Sequence, residues 1–162
     1  MEIQTSPHLK TLETLVSEHP FWSGLPPRFF HLLNEAAFVM RYKPGDFIFQ
    51  EGQDAKHFYL VQRGMVALET FVPGRGTVTV QTIGAGDALG WSWLFPPHRW
   101  HFSARAAEAS EIIVFDASKL RAKMDENRDF SNELVMRVAH ILLQRLQATR
   151  RQLLEFYAAK AS

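Results

Sequence analysis

The sequence predicts a mainly β protein, an antiparallel, jelly-roll-like β-roll flanked by helices and followed by a long C-terminal helix. Three observations carry this reading. Between Phe38 and Asp116, short runs rich in β-branched and aromatic residues follow one another. Their connectors, KPGD, EGQDAK, RG, PGRG and IGAGD, each supply Gly, Asp or Pro, which permit positive φ or preset a turn. Outside this stretch the apolar residues recur at helical spacing instead.

Taken in order, Leu9 to Val16 and Pro27 to Ala37 each predict a short helix, and the stretch between them is broken by Gly24 and Pro26. The runs FVMRY, FIFQ, HFYLVQ, MVALETFV, TVTVQ, WHFSARA and EIIVF are the predicted strands. Asp116 to Asn127 predicts another short helix, and Asp129 or Ser131 is the expected N-cap of a longer one ending near Ala159. At 162 residues the chain fits one domain spanning 1–162, with N-terminal helices over 1–37, the β-roll over 38–116 and C-terminal helices over 117–162.

The long helix carries two apolar stripes. Val135, Ala139, Leu142, Leu146, Thr149, Leu153 and Phe156 are spaced by alternating steps of four and three, the heptad pattern of a coiled-coil seam. Leu134, Val138 and Ile141 lie on a neighbouring face. A helix of this kind packs one stripe on its own domain and offers the other to a second copy, so a parallel homodimer is expected. The alternative is one broad intramolecular face.

Composition sets the outer limits. The chain is 46% hydrophobic and 22% charged with net charge +1, so it has no overall field suited to nucleic acid. It has no cysteine, hence no disulfide and no thiolate chemistry. The N-terminus is acidic and polar where a signal peptide needs a basic start, and no apolar run approaches the roughly 18 to 20 residues of a membrane helix. The expected location is the cytoplasm, with no membrane association. No placed nucleophile, HExxH or Walker loop is present, so no catalytic residue is assigned and the protein is expected not to be an enzyme. GAGDALG has the wrong spacing for a dinucleotide loop and no βαβ setting. His98 and His101 stand in a loop without a ligand set, and no metal site is expected.

The run PGDFIFQEGQDAKHFYLVQRGMVAL, with Gly45, Gly52 and Gly64 in order, resembles the opening strands of the cyclic nucleotide-binding domain in the catabolite activator family of bacterial regulators. The resemblance continues through GAGDALG and EIIVFD into the long helix, where Arg145 to Thr149 is similar to a segment lining the nucleotide base. It implies a β-roll that binds a cyclic phosphate on backbone N–H groups at the start of a short helix, with Gly90 at the turn. It also implies a Glu after that glycine for the ribose hydroxyl and an Arg nine residues later for the phosphate. Here those positions hold Trp91 and Trp100. Hydrogen bonds to charged groups contribute roughly 1.5 to 3 kcal/mol each, so ordinary cAMP or cGMP binding is not expected. Arg99, one place early, reaches a phosphate only if a bulge interrupts the pleat. Strand alternation sends Trp100, Phe102 and Ala104 inward and Arg99, His101 and Arg105 outward.

The candidate pocket therefore comprises Gly90, Trp91, Ser92, Trp93, Arg99, Trp100, His101 and Thr149. Its tryptophans either form an aromatic box for a flat or cationic small molecule or fill the vacated site. Weak or atypical cyclic nucleotide binding through Gly90, Arg99 and Thr149 is a third reading. The expected function is a regulatory module, either a small-molecule sensor or a ligand-free dimerisation and protein-interaction module. The family's transcription factors carry a helix-turn-helix after the long helix, and the few residues after Tyr157 leave no room for one, so no direct DNA binding is expected.

Overall fold

The β-rich middle of the chain pairs into two four-stranded antiparallel sheets that face each other, and helices cover one end. The computed structural model describes residues 10–161. Chain order is α1 (Leu12–Glu18), two 3₁₀ turns (Pro20–Trp22 and Pro27–Phe29) and α2 (Phe30–Ala36). Then come β1 (Ala37–Tyr42), β2 (Phe47–Phe49), β3 (His57–Arg63), β4 (Met65–Val72), β5 (Gly76–Gly84), β6 (Ala88–Leu89), β7 (Ser103–Ala106) and β8 (Ser110–Asp116). The chain closes with α3 (Ala117–Glu126) and α4 (Arg128–Lys160). One sheet has the order β1-β8-β3-β6 and the other β2-β7-β4-β5.

The register follows from the apolar pattern. β8 lies between β1 and β3, and its residues Ile112 to Phe115 are all buried because the roll interior covers one face and α2 and α3 the other. At the β3–β4 turn Gly64 has φ 99°, and a Cβ there would lie 2.6 Å from the carbonyl oxygen of Ala109, so only glycine fits. In the β4–β5 hairpin the register slips between Leu68 and Glu69, leaving Val80 as an extra residue. Gln152 of α4 donates to the Val80 carbonyl at 2.7 Å and fastens the hairpin to the long helix.

Several boundaries differ from expectation. Ala37 is the first residue of β1, not the end of a helix, and β5 is longer than TVTVQ at both ends. Leu9, the predicted start of the first helix, lies outside the described residues, as does Ser162. The N-cap of α4 is neither Asp129 nor Ser131 but Asn127, whose side chain accepts from the Phe130 N–H at 3.0 Å. Asp129 sits in the first turn, where a carboxylate favours the positive end of the helix dipole. The predicted strand WHFSARA is regular only from Ser103. Before it, Trp100 pairs its backbone with the 52–53 turn, accepting from Gly52 at 2.8 Å and donating to Gln53 at 3.0 Å. β6 was not predicted, since two residues carry no periodicity.

Two side chains, buried His19 and part-buried Arg137, tie the N-terminal segment down. His19 accepts the Phe21 N–H on Nδ1 at 3.2 Å, and its Nε2 lies 2.9 Å from the Val61 carbonyl, so the neutral Nε2–H tautomer serves both contacts. Arg137 of α4 donates to the carbonyls of Phe21 and Ser23 and pairs with Glu133. Burial holds the His19 imidazole below its ordinary value of 6.5. The neutral form belongs to the folded state, so this contribution is complete above about pH 6.5 and declines as pH falls, because the unfolded chain takes up the proton first. His57, also held down by burial, acts in the same direction. The urea midpoint is expected to fall between about pH 7.5 and about pH 5.5, with a shallower fall in His19→Gln. Equal slopes would remove His19 as a cause.

Candidate functional site

The turn from Gly90 to Trp100 leaves β6 and crosses between the two sheets, and Gly90 is its pivot. Gly90 adopts φ 75°, in the left-handed region open to glycine. A Cβ at this position would fall inside the van der Waals surface of Trp100 Cζ3 and lie 3.0 Å from Cη2. The indole of Trp100 thus rests directly on the Gly90 backbone. On its other side it stacks on Phe49, centroids 3.8 Å apart and planes 12° apart, with Tyr59 at 6.1 Å. Trp100 is 2% exposed and Trp93 is fully buried, tilted against Phe58 at 5.1 Å.

Trp91 is half-buried and meets the edge of Phe102 at 5.7 Å, while Ser92 is buried. The inward set Trp100, Phe102 and Ala104 and the outward pair Arg99 and His101 agree with pleat alternation, although the regular strand starts only at Ser103. Arg99 is turned away from the pocket. It donates to the Gly52 carbonyl at 3.1 Å and faces Asp54 at 3.8 Å, so the bulge that would bring it inward is not formed. Thr149 is exposed on α4, and its side chain has no hydrogen bond among the described residues. The implied short helix after Gly90 is a single turn closed by the Leu94 N–H on the Trp91 carbonyl at 3.0 Å. One turn aligns few peptide dipoles, so its field on an anion is weak.

Three contacts escaped the sequence reading. Arg145 leaves the seam side of α4 and donates to the Ala88 carbonyl at 3.1 Å, and burial lowers its guanidinium from the ordinary value against the field of Asp87. Arg121 of α3 donates to the Trp93 carbonyl at 2.5 Å. Phe49 supplies the face on which Trp100 stacks. None has a local signal, because each joins residues far apart in the chain. The indole N–H of Trp93 is buried and has no hydrogen-bond partner among the described residues.

Residues 39–127 match the cyclic nucleotide-binding domain. The chain belongs to that family. It is 25% identical over 126 residues to the anaerobic regulatory protein of Bacillus subtilis (strain 168), which covers 77% of this chain. The chain spans about half the length of that curated relative, 52%. Among solved structures, a protein of Geobacter metallireducens GS-15 assigned to the cyclic nucleotide-binding proteins superposes with TM-score 0.74 and 23% identity, covering 85% of this chain and 99% of its own. The catabolite activator protein of Thermus thermophilus superposes with TM-score 0.66 and 25% identity, covering 83% of this chain and 61% of its own. The fold and the family are thereby established.

The close approach of Trp100 to Gly90 predicts a coupled mutational response. Trp100→Ala is expected to cost about 3–5 kcal/mol of stability in chemical denaturation, as large aromatic truncations do. Gly90→Ala is expected to cost about 2–4 kcal/mol from left-handed strain together with overpacking. In the Trp100→Ala background the same change is expected to fall to the backbone part alone, about 1–2 kcal/mol. Additive penalties would show that the ring does not restrict position 90.

Proposed function

We propose that this protein is a non-enzymatic regulatory module that has kept the cyclic nucleotide-binding fold without recognition of ordinary cyclic nucleotides, and that works as a homodimer through α4. The observation that carries this reading is the Trp100 ring on the Gly90 backbone, stacked on Phe49. A phosphate held by that turn would need the volume the indole fills, and the side chain that would neutralise it, Arg99, is engaged with Gly52 and Asp54 on the outside. Filling by a ring that is 2% exposed favours the ligand-free reading over an aromatic box, since a box needs an accessible ring face.

Isothermal calorimetry with millimolar cAMP and cGMP tests the first half. No saturable heat is expected from the native chain, whereas Trp91→Glu/Trp100→Arg should gain affinity by about tenfold or more for each restored charged hydrogen bond. Saturable binding by the native chain overturns the reading.

The support for dimerisation is the surface of α4. Leu134, Val138 and Ile141 are buried in the hydrophobic core, while Leu146 is 66% exposed and Val135, Leu153 and Phe156 are exposed alongside it. Exposed Ala139 and Thr149 and half-buried Leu142 complete a stripe along a helix of 33 residues, about 50 Å long. Sedimentation equilibrium is expected to give a dimer at micromolar concentration and a folded monomer for Leu146→Glu/Leu153→Glu. A native chain that sediments as a monomer refutes this part.

A further inference from the structure

Beside the end of the Gly90–Trp100 turn, an open pocket of about 490 Å³ lies between the 54–57 segment, the Pro97–His98 corner and the start of α3. We infer that this pocket is a binding site for a small polyvalent anion of the phosphate class, separate from the family's nucleotide position. Its donors are Lys56, His57, His98 and Arg121. Lys56 and Arg121 have no acidic partner among the described residues. The Lys56 side chain makes no hydrogen bond there, and Arg121 commits one N–H group, to the Trp93 carbonyl. An Arg and a Lys left without carboxylates at one concave surface form the pairing that multidentate oxyanions satisfy.

Two carboxylates also line the pocket, and both are occupied. Asp116 caps α3, accepting from Ser118 Oγ at 2.7 Å and the Lys119 N–H at 3.0 Å. Asp54 faces Arg99 at 3.8 Å. With Arg99 counted, three cations meet two carboxylates, so a positive charge is left over before either imidazole is protonated. The N-terminus of α3 adds nothing to the argument, since its own Asp116 satisfies it. Among the described residues no three His, Cys, Asp or Glu side chains are grouped to hold a metal ion. His57 packs edge-on against Phe38, and burial holds it below its ordinary value, so it serves as a neutral N–H donor. Because Arg121 also holds the Trp93 carbonyl, an anion here is linked to the turn that carries Gly90 and to the first turns of α3.

The test uses the full chain, ¹⁵N-labelled, titrated near neutral pH with inorganic phosphate, with phenyl phosphate, with acetate, and with sodium chloride at matched ionic strength. Phosphate and phenyl phosphate are expected to give saturable shifts centred on the amides of Lys56, His57, His98 and Arg121, half-complete at low millimolar concentration or below. Acetate should bind more weakly, and Arg150→Gln should leave the response unchanged. Lys56→Gln, at an exposed side chain with no bond to lose, is expected to weaken phosphate by about tenfold. Arg121→Gln should weaken it at least as much. Equal shifts in chloride, shifts centred elsewhere, acetate binding as tightly as phosphate, or an unchanged response in Lys56→Gln would each overturn the assignment.

Discussion

The structure of the turn between β6 and β7 rests on one close approach, the Trp100 ring against a glycine backbone that has no side chain to hold it off. Gly90 in the left-handed region lets the chain reverse after β6, and the same missing Cβ leaves the volume into which the indole drops. Phe49 of β2, the strand beside β7, closes the stack. Aromatic stacking and apolar burial thus stand where the resemblance implies a charge and a dipole; dispersion favours such a dry interior, and desolvation disfavours an unpaired phosphate in it. The proposed loss of cyclic nucleotide recognition is a direct consequence of that exchange.

The long helix meets two different demands. Leu134, Val138 and Ile141 bury its first half in the core, and polar side chains extend the attachment beyond the apolar contact. Arg137 holds the Phe21 and Ser23 carbonyls, Arg145 the Ala88 carbonyl and Gln152 the Val80 carbonyl. The Phe21 and Ser23 carbonyls belong to a 3₁₀ turn and its cap, Val80 is the extra residue of a bulge, and Ala88 lies in the two-residue β6 just before the Gly90 turn. The helix is therefore coupled to the irregular segments of the roll, which deform at least cost. A partner helix against the exposed stripe would act on those same segments, which gives a dimer a route to the turn at Gly90 without passing through the rigid sheets.

Where the roll carries charge is as informative as where it lost it. Arg99 and Asp54, Lys56 and Arg121, with two imidazoles, gather on the outer side of the turn, while the inner side is tryptophan and phenylalanine. Strand alternation produces this sorting. Once Trp100 points inward, its neighbour Arg99 points out, and the positive charge of the region follows it to the surface.

Local chemistry was enough to read much of this protein. Alternation placed Trp100, Phe102 and Ala104 inside and Arg99 and His101 outside, and the heptad steps separated the exposed stripe of α4 from Leu134, Val138 and Ile141, because both patterns depend only on the period of the backbone. Gly64 and Gly90 were legible for the same reason, since positive φ is a property of one residue. Other features lay beyond that range. The sequence offers Asp129 and Ser131 as caps, and only the Phe130 N–H, bonded to the Asn127 side chain, decides the position. β6 is too short to have a period. That Trp100 would settle on Gly90 and Phe49, and that Arg121 would reach Trp93, depends on contacts across 10, 51 and 28 positions respectively. Periodicity assigns a side chain to the inside or the outside, while the packing of the two sheets selects the atom it meets.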